Sequence, residues 1–254
     1  MRSKLFWVVA VCPLAVGCSS EPAPQQSTQN LTAEIVATHP GNPATFTQGL
    51  EVSRTNPSEL YVGTGWYGES RIYRRTLDGK ELASAGLAPN EFGEGIAQVD
   101  GAVWQLTWKN GVAYKRDPQT LQVTQQASFP GEGWGLCALG NDLYLSDGTD
   151  TLRVLDAQTF AEKRRVATGV DKLNELECAD GAIYANRFMT AEIVKISPEG
   201  AVQAHIDASG LPNNAAKDPN NVLNGIAHIP GTDRFYVTGK RWPDVYEVRF
   251  VPKS

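Results

Sequence analysis

From Gly49 onward the chain repeats one plan five times, and few folds accommodate such a repeat. Each unit opens on a short apolar run: Gly49-Leu50-Glu51-Val52, Gly95-Ile96-Ala97-Gln98, Gly135-Leu136-Cys137-Ala138, Leu176-Glu177-Cys178-Ala179 or Gly225-Ile226-Ala227-His228. A second run follows around Tyr61, Trp104, Tyr144, Tyr184 or Tyr236, and a third around Ile72, Ala113, Val154, Val194 or Tyr246. Turn dipeptides such as Asp100-Gly101 and Asp180-Gly181 separate the first two runs, as expected between antiparallel strands. A fourth strand, at Glu81–Ser84, Val123–Ser128, Lys163–Ala167 and Ala201–Ile206, closes the first four units. Four strands recurring roughly every forty residues describe the blade of a propeller. A sandwich of two sheets does not explain the repeat.

The fifth unit stops at Phe250 after three strands, and Ala33–Thr38 just ahead of the first unit supplies a strand with no other place. The predicted fold is therefore all-β, a five-bladed β-propeller closed by pairing this N-terminal strand with the last blade, which removes an open edge. First strands of blades line the channel. Gln48, Glu94, Trp134, Glu175 and Asn224, each just ahead of one, are expected to ring its mouth. Loops between second and third strands open on the same face. They carry Trp66 and Tyr67, Trp108 and Lys109, Asp147, Phe188, and Lys240 with Trp242. Aromatic walls with a few placed polar groups describe a ligand pocket, although part of these aromatics is expected to wedge between blades instead. Glu94 stands out, because Gly93 and Gly95 on either side let the backbone turn and are expected to leave the carboxylate little covered. They are also expected to let a substrate terminus approach. A carboxylate in such a cleft is expected to hold its proton more tightly than usual, which suits proton transfer near neutral pH.

At 254 residues with 41% hydrophobic content, the chain can bury one large core. Its net charge of −5 and lack of a long basic run argue against nucleic acid as a partner. The start reads differently from the rest. Arg2 and Lys4 precede the apolar run Leu5–Val16, too short for a membrane span and typical of an export signal. Leu14-Ala15-Val16-Gly17-Cys18 resembles a lipobox, with Cys18 as the lipidated residue, while an ordinary cleaved signal is the alternative. Residues 1–18 are thus read as signal peptide, 19–31 as a flexible Ser/Pro/Gln linker and 32–254 as the propeller domain. The anchored chain is expected to be an exported monomer, facing the periplasm or cell surface. Cys137 and Cys178 remain in the domain at equivalent places of adjacent repeats, either bridged or as two buried thiols. The three histidines lack metal-ligand spacing, and no P-loop or Gly-x-Ser-x-Gly elbow occurs. Asp147-Gly148-Thr149-Asp150 reads as a turn before it reads as a calcium loop.

Several of these segments together resemble the plant-type glutaminyl-peptide cyclotransferases: Phe46-Thr47-Gln48-Gly49-Leu50, Phe92-Gly93-Glu94-Gly95, Trp134-Gly135-Leu136, Leu173-Asn174-Glu175-Leu176-Glu177, Asn221–Ala227 and Thr238–Pro243. The resemblance runs from Phe46 to Phe250 and implies a five-bladed propeller that cyclises N-terminal glutamine of peptides or proteins to pyroglutamate, releasing ammonia without a cofactor or metal. It implies Glu94 as the catalytic glutamate and proton shuttle, and Lys240, with Gln48 and Asn174, as groups that polarise or orient the amide. Phe46, Phe92, Trp108 and Trp134 match the family's pocket walls. Asn186-Arg187-Phe188 departs from the family's Asn-Val-Trp, so Phe188 keeps a wall and loses an indole donor. Two other readings of the residues stand beside this one. One is a non-catalytic exported propeller that binds peptides or small ligands on the same face; the other is a metal-dependent, lactonase-like propeller.

Overall fold

A computed structural model describes residues 27–253. The expected signal peptide, the lipobox Cys18 and the linker as far as residue 26 lie outside the described residues. Among the described residues the chain is built from strands alone. β1 (Gln29–Pro40) is followed by a first group of β2 (Thr47–Val52), β3 (Glu59–Thr64), β4 (Arg71–Thr76) and β5 (Glu81–Gly86). The second group holds β6 (Gly93–Val99), β7 (Ala102–Thr107), β8 (Val112–Arg116) and β9 (Val123–Ser128). The third holds β10 (Leu136–Leu139), β11 (Asp142–Leu145), β12 (Thr151–Asp156) and β13 (Glu162–Ala167). β14 (Leu173–Ala179), β15 (Ala182–Arg187), β16 (Glu192–Ile196) and β17 (Val202–Asp207) make the fourth. The last has three strands, β18 (Leu223–His228), β19 (Arg234–Gly239) and β20 (Asp244–Pro252).

Neighbouring strands within each group pair antiparallel. The first three groups are separate four-stranded sheets, and the remaining strands form one mixed sheet in the order β14-β15-β16-β17-β1-β20-β19-β18. β1 covers the edge that the three-stranded last group leaves open, running antiparallel to β20 from Leu31 opposite Pro252 to Pro40 opposite Asp244. Its first residues, Gln29 to Thr32, also pair in parallel with β17. This second contact starts the strand earlier than the Ala33 expected from the sequence. Leu31 packs on the apolar cluster beneath, and the Thr32 hydroxyl donates to the Asp207 carbonyl at 3.1 Å. Residues 29–31, read as linker, therefore belong to the sheet.

The core lies between groups rather than inside any one of them. Tyr61 and Ile72 of the first group meet Ile96 and Val103 of the second; Trp104 and Leu106 meet Leu143 and Leu155 of the third. Tyr144 and Val154 meet Leu176 and Ile183, and Tyr184 and Ile193 meet Phe235 and Val237. Ala227 and Tyr236 of the last group return to Leu50 and Leu60 of the first. β2 lies beside β18 and β6, β10 beside β6 and β14, and β14 beside β18. These first strands are buried on both faces and so lack the apolar–polar alternation of half-exposed strands. The outermost β5, β9 and β13 are largely exposed. Cys137 of β10 and Cys178 of β14 form a disulfide with their Cα atoms 5.3 Å apart, which decides between bridge and thiols and ties two adjacent first strands.

One irregularity recurs where it matters. The pairing of β2 with β3 slips between Thr47 and Gly49, β6 with β7 between Gly93 and Ile96, β14 with β15 between Leu173 and Leu176, and β18 with β19 between Leu223 and Ile226. A bulge inserts an unpaired residue and re-aims its side chain. The residues inside these slips are Gln48, Glu94 with Gly95, Asn174 with Glu175, and Asn224 with Gly225.

Candidate active site

A cavity of about 350 Å³ opens where the bulges cluster, within the size range of small-molecule sites. Its lining contains the catalytic and substrate-binding residues that the family resemblance implies: Glu94 and Lys240, the amides Gln48 and Asn174, and the aromatics Phe46, Phe92, Trp108 and Trp134, with Phe188. Trp66 and Asn220 complete it. Two residues expected at the mouth do something else. The Glu175 carboxylate accepts the backbone N–H groups of Leu50 (3.1 Å) and Ile226 (2.8 Å), holding β2 and β18 together. Asn224 donates through Nδ2 to the Thr47 carbonyl and to Gln48 Oε1, both at 3.0 Å. Because a backbone carbonyl only accepts, this bond fixes the Asn224 amide. Gln48 must then turn its oxygen to Asn224, which leaves its Nε2 as the donor that Glu94 feels. Trp242 is buried against Tyr246 with its indole N–H on the Asn221 carbonyl, a wedge rather than a wall. Asp147 caps its own turn through Thr149, the turn reading of that segment.

Glu94 is not lightly covered, as its glycine neighbours suggested; it is 4% exposed. The two glycines serve the packing of strands, not the approach of a substrate. A Cβ on Gly93 would strike the Thr64 carbonyl, and one on Gly95 would come within 2.8 Å of Gly135 and the Trp134 carbonyl. Gly95 N–H donates to that same carbonyl at 2.8 Å, so β6 and the segment leading into β10 approach as closely as backbones do. The cost is carried by the carboxylate. Its Oε2 is buried with no protein partner, and burial pushes the carboxyl well above the usual carboxylate range. Lys240 and Gln48 pull it back, while the charge of Glu132 adds to the rise.

Lys240 reaches the cavity from the turn between β19 and β20. Its own N–H bonds the Val222 carbonyl (2.9 Å), and Arg241 N–H bonds the Thr45 carbonyl (2.8 Å) with Arg241 at φ 58°, a left-handed corner. The Lys240 ammonium sits 4.9 Å from the Phe46 ring centroid and 5.0 Å from that of Phe188, held between two π faces. Burial lowers its pKa to about 8, against the opposite pull of Glu94. Phe188 also meets Trp134 edge-on at 5.5 Å, so phenylalanine at this place still supplies a wall and a face for the cation. Phe92 touches Phe46, Trp66 and Trp108 at centroid distances of 6.1, 6.5 and 5.6 Å, joining the walls of two groups.

Three residues here lie outside the set expected from the sequence. Trp66 was placed on this face but not in the cavity, and Asn220 sits in an irregular loop outside the repeat. Glu132, behind the tryptophan walls, accepts the indole N–H of both Trp108 and Trp134. Its setting, Gly131-Glu132-Gly133, repeats the glycine-flanked carboxylate of Gly93-Glu94-Gly95 and was the available signal.

The family model for glutamine cyclotransferase matches residues 8–250. A glutaminyl-peptide cyclotransferase of Arabidopsis thaliana is 34% identical over 232 residues, spanning 87% of this chain and 72% of its own. The crystal structure of Myxococcus xanthus glutaminyl cyclase superposes with a TM-score of 0.83 at 32% identity, covering 90% of this chain and 100% of that one. A Bacteroides thetaiotaomicron protein of unknown function, 10% identical with a TM-score of 0.53 over 84% of this chain and 75% of its own, shares the fold alone.

Proposed function

Since this chain belongs to the glutamine cyclotransferase family, we infer that its pocket cyclises the N-terminal glutamine of peptides or proteins to pyroglutamate and releases ammonia. The observation that carries the reading is Glu94, a buried carboxylate with one unpartnered oxygen, in the lining of a cavity walled by aromatic rings. The α-amine must lose its proton, attack the side-chain amide carbon, and expel the amide nitrogen as ammonia. One bond forms between the α-nitrogen and that carbon; one breaks between it and the leaving nitrogen. Substrate and Glu94 together enter with a single proton between them. The raised affinity of Glu94 for that proton draws it off the α-ammonium, itself near pKa 8, and frees the lone pair. Glu94 then gives that proton to the leaving nitrogen as its bond to carbon breaks. It takes up the second proton that the ring nitrogen must shed to become the lactam N–H, and this proton departs with ammonia as ammonium. The carboxylate is base, acid and base again.

Lys240 and the Gln48 Nε2 are placed to donate to the amide oxygen as negative charge develops there, and Asn174 to orient the terminus. The aromatic walls hold the glutamine side chain curled and keep water from competing with the amine. Replacing Glu94 by Gln should lower ammonia release from a glutamine-initiated dipeptide by about 10²–10⁴-fold without loss of folding. Near-normal turnover of that variant would sink the assignment.

Five blades around a channel is the architecture we propose, supported by the cyclic contacts of β2, β6, β10, β14 and β18 and by β1 acting as fourth strand to the last group. An exported monomer anchored by lipid at Cys18 is proposed from the N-terminal sequence. Metabolic labelling with a fatty acid that persists in Cys18→Ala would overturn that anchor.

A further inference from the structure

Trp108 and Trp134 both line the cavity, yet neither indole N–H serves it. Both donate to one atom, Glu132 Oε2, at 2.7 and 2.9 Å. Lys109 Nζ lies 3.7 Å from the other oxygen of Glu132 and 3.9 Å from the Trp108 ring centroid, closing a small cluster behind the wall. The loop that carries Glu132 is itself fixed, with Gly133 N–H on the Trp108 carbonyl at 3.0 Å and Trp134 N–H on the Ser146 carbonyl at 2.9 Å. One carboxylate thus sets the rotation of two rings that come from different sheets.

We propose that Glu132 is a positioning residue of the cyclisation pocket, clamping Trp108 and Trp134 so that they offer ring faces, and no hydrogen-bond donor, to the glutamine. The inference rests on the cyclisation reading. Its chemical sense is selectivity among donors. A free indole N–H at the wall would compete with Lys240 and Gln48 for the amide oxygen, or bind the unpartnered Oε2 of Glu94 and blunt it as a base. The clamp removes both options. Glu132 also places a standing negative charge near Glu94. The charged groups that act on Glu94 are Lys240, from the β19–β20 turn, and Glu132, from the loop into β10; Gln48 of β2 adds a neutral donor. Two bonds to indole N–H groups and the nearby ammonium of Lys109 outweigh the burial of Glu132 and hold it ionised below the usual carboxylate range.

The test uses Glu132→Gln, which removes the charge while its carbonyl oxygen can still accept both indole N–H groups as Oε2 does, and Glu132→Ala, which removes the clamp as well. Steady-state kinetics with a glutamine-initiated dipeptide across pH, and near-UV circular dichroism of the indoles, are measured on both variants and the wild type. The expected result is, for Glu132→Ala, an altered near-UV spectrum and a KM raised about tenfold with a smaller change in kcat, and, for both variants, a Glu94-controlled limb displaced to lower pH. The displacement follows because removing a negative neighbour makes the carboxyl easier to ionise. An unchanged spectrum in Glu132→Ala, or a loss of kcat with KM and the pH profile unmoved in a folded variant, overturns the proposal. The Glu132 side chain is 38% exposed, so the Gln variant is not expected to unfold; far-UV dichroism checks this. Wild type that releases no ammonia would overturn cyclisation instead, and the indole spectrum would still judge the clamp.

Discussion

Below the pocket, Glu51 of β2 and Glu177 of β14 face one another inside the molecule. Burial raises Glu51 from an ordinary 4.5 to about 7, against Arg54 and the Gln98 donors, one of which is the backbone N–H at 3.2 Å. Burial and the charges of Glu51 and Glu175 push Glu177 well above the usual range. In the unfolded chain a glutamate ionises near 4.3. Between that pH and about 7 the unfolded state has given up a proton that folded Glu51 still holds, so stability must fall as pH rises through this window. For Glu51 alone the displacement is worth about 3 kcal/mol, or roughly 6–12 °C in Tm for a domain of this size. Glu51 and Glu177 titrate as a pair, so the loss belongs to both. Thermal unfolding followed by circular dichroism at constant ionic strength from pH 5 to 7.5 reads the effect. Carboxylates held low by partners, such as Asp156 and Asp207, act only at lower pH, and Lys240 acts with the opposite sign above about 8. Glu51→Gln should flatten the curve and raise Tm at pH 7.5. A wild-type Tm that is level or rising over this range, or the same slope in Glu51→Gln, would refute the reasoning.

Three further outcomes follow from the same geometry. Lys240→Met removes the cation that favours ionised Glu94; kcat should fall about 10²–10³-fold, and the Glu94-controlled limb of the pH–rate profile should move to higher pH, opposite to Glu132→Gln. Phe188→Ala deletes one π face of the Lys240 cradle and the edge contact to Trp134, so kcat/KM should drop about tenfold. Phe188→Trp, which restores a face, should stay within about threefold of wild type in the same dipeptide assay. The Cys137–Cys178 bridge closes a loop with a sequence separation of 41, and reduction should cost up to about 4 kcal/mol of unfolding free energy, read by urea denaturation. Peptide mass analysis should find both thiols alkylated only after reduction.

Much of the fold was legible because a repeat of four-stranded units writes its strands in order. Turn dipeptides and apolar runs lie where the strands form, and Ala33–Thr38 lies within β1 beside β20. The start of β1 was not legible, since Gln29 to Thr32 are held by parallel pairing to β17, a partner 175 residues away for Gln29. Periodicity within a polar stretch carries no mark of such a contact. The disulfide was likewise open, because equivalent positions in adjacent repeats allow a bridge without requiring one; the Cα separation of 5.3 Å satisfies it.

The site divides along a similar line. Equivalence by repeat named Gln48, Glu94, Trp134, Glu175 and Asn224 as peers, and only the first three line the cavity. A one-residue slip within a bulge decides the difference: in β14 it turns Asn174 to the pocket and sends Glu175 into the seam between β2 and β18. The glycines around Glu94 misled for a related reason. Glycine marks both a backbone left open and a backbone pressed by another, and here β6 is pressed on two sides. That pressure removes water from Glu94, and loss of water is what fits a carboxylate to take a proton from an amine. The same glycine-flanked pattern at Glu132 gives the opposite chemistry, since two indole N–H groups and a lysine partner a carboxylate that also keeps its access to water. Spacing therefore locates the two acids; only their partners separate the one proposed to move a proton from the one proposed to hold the walls.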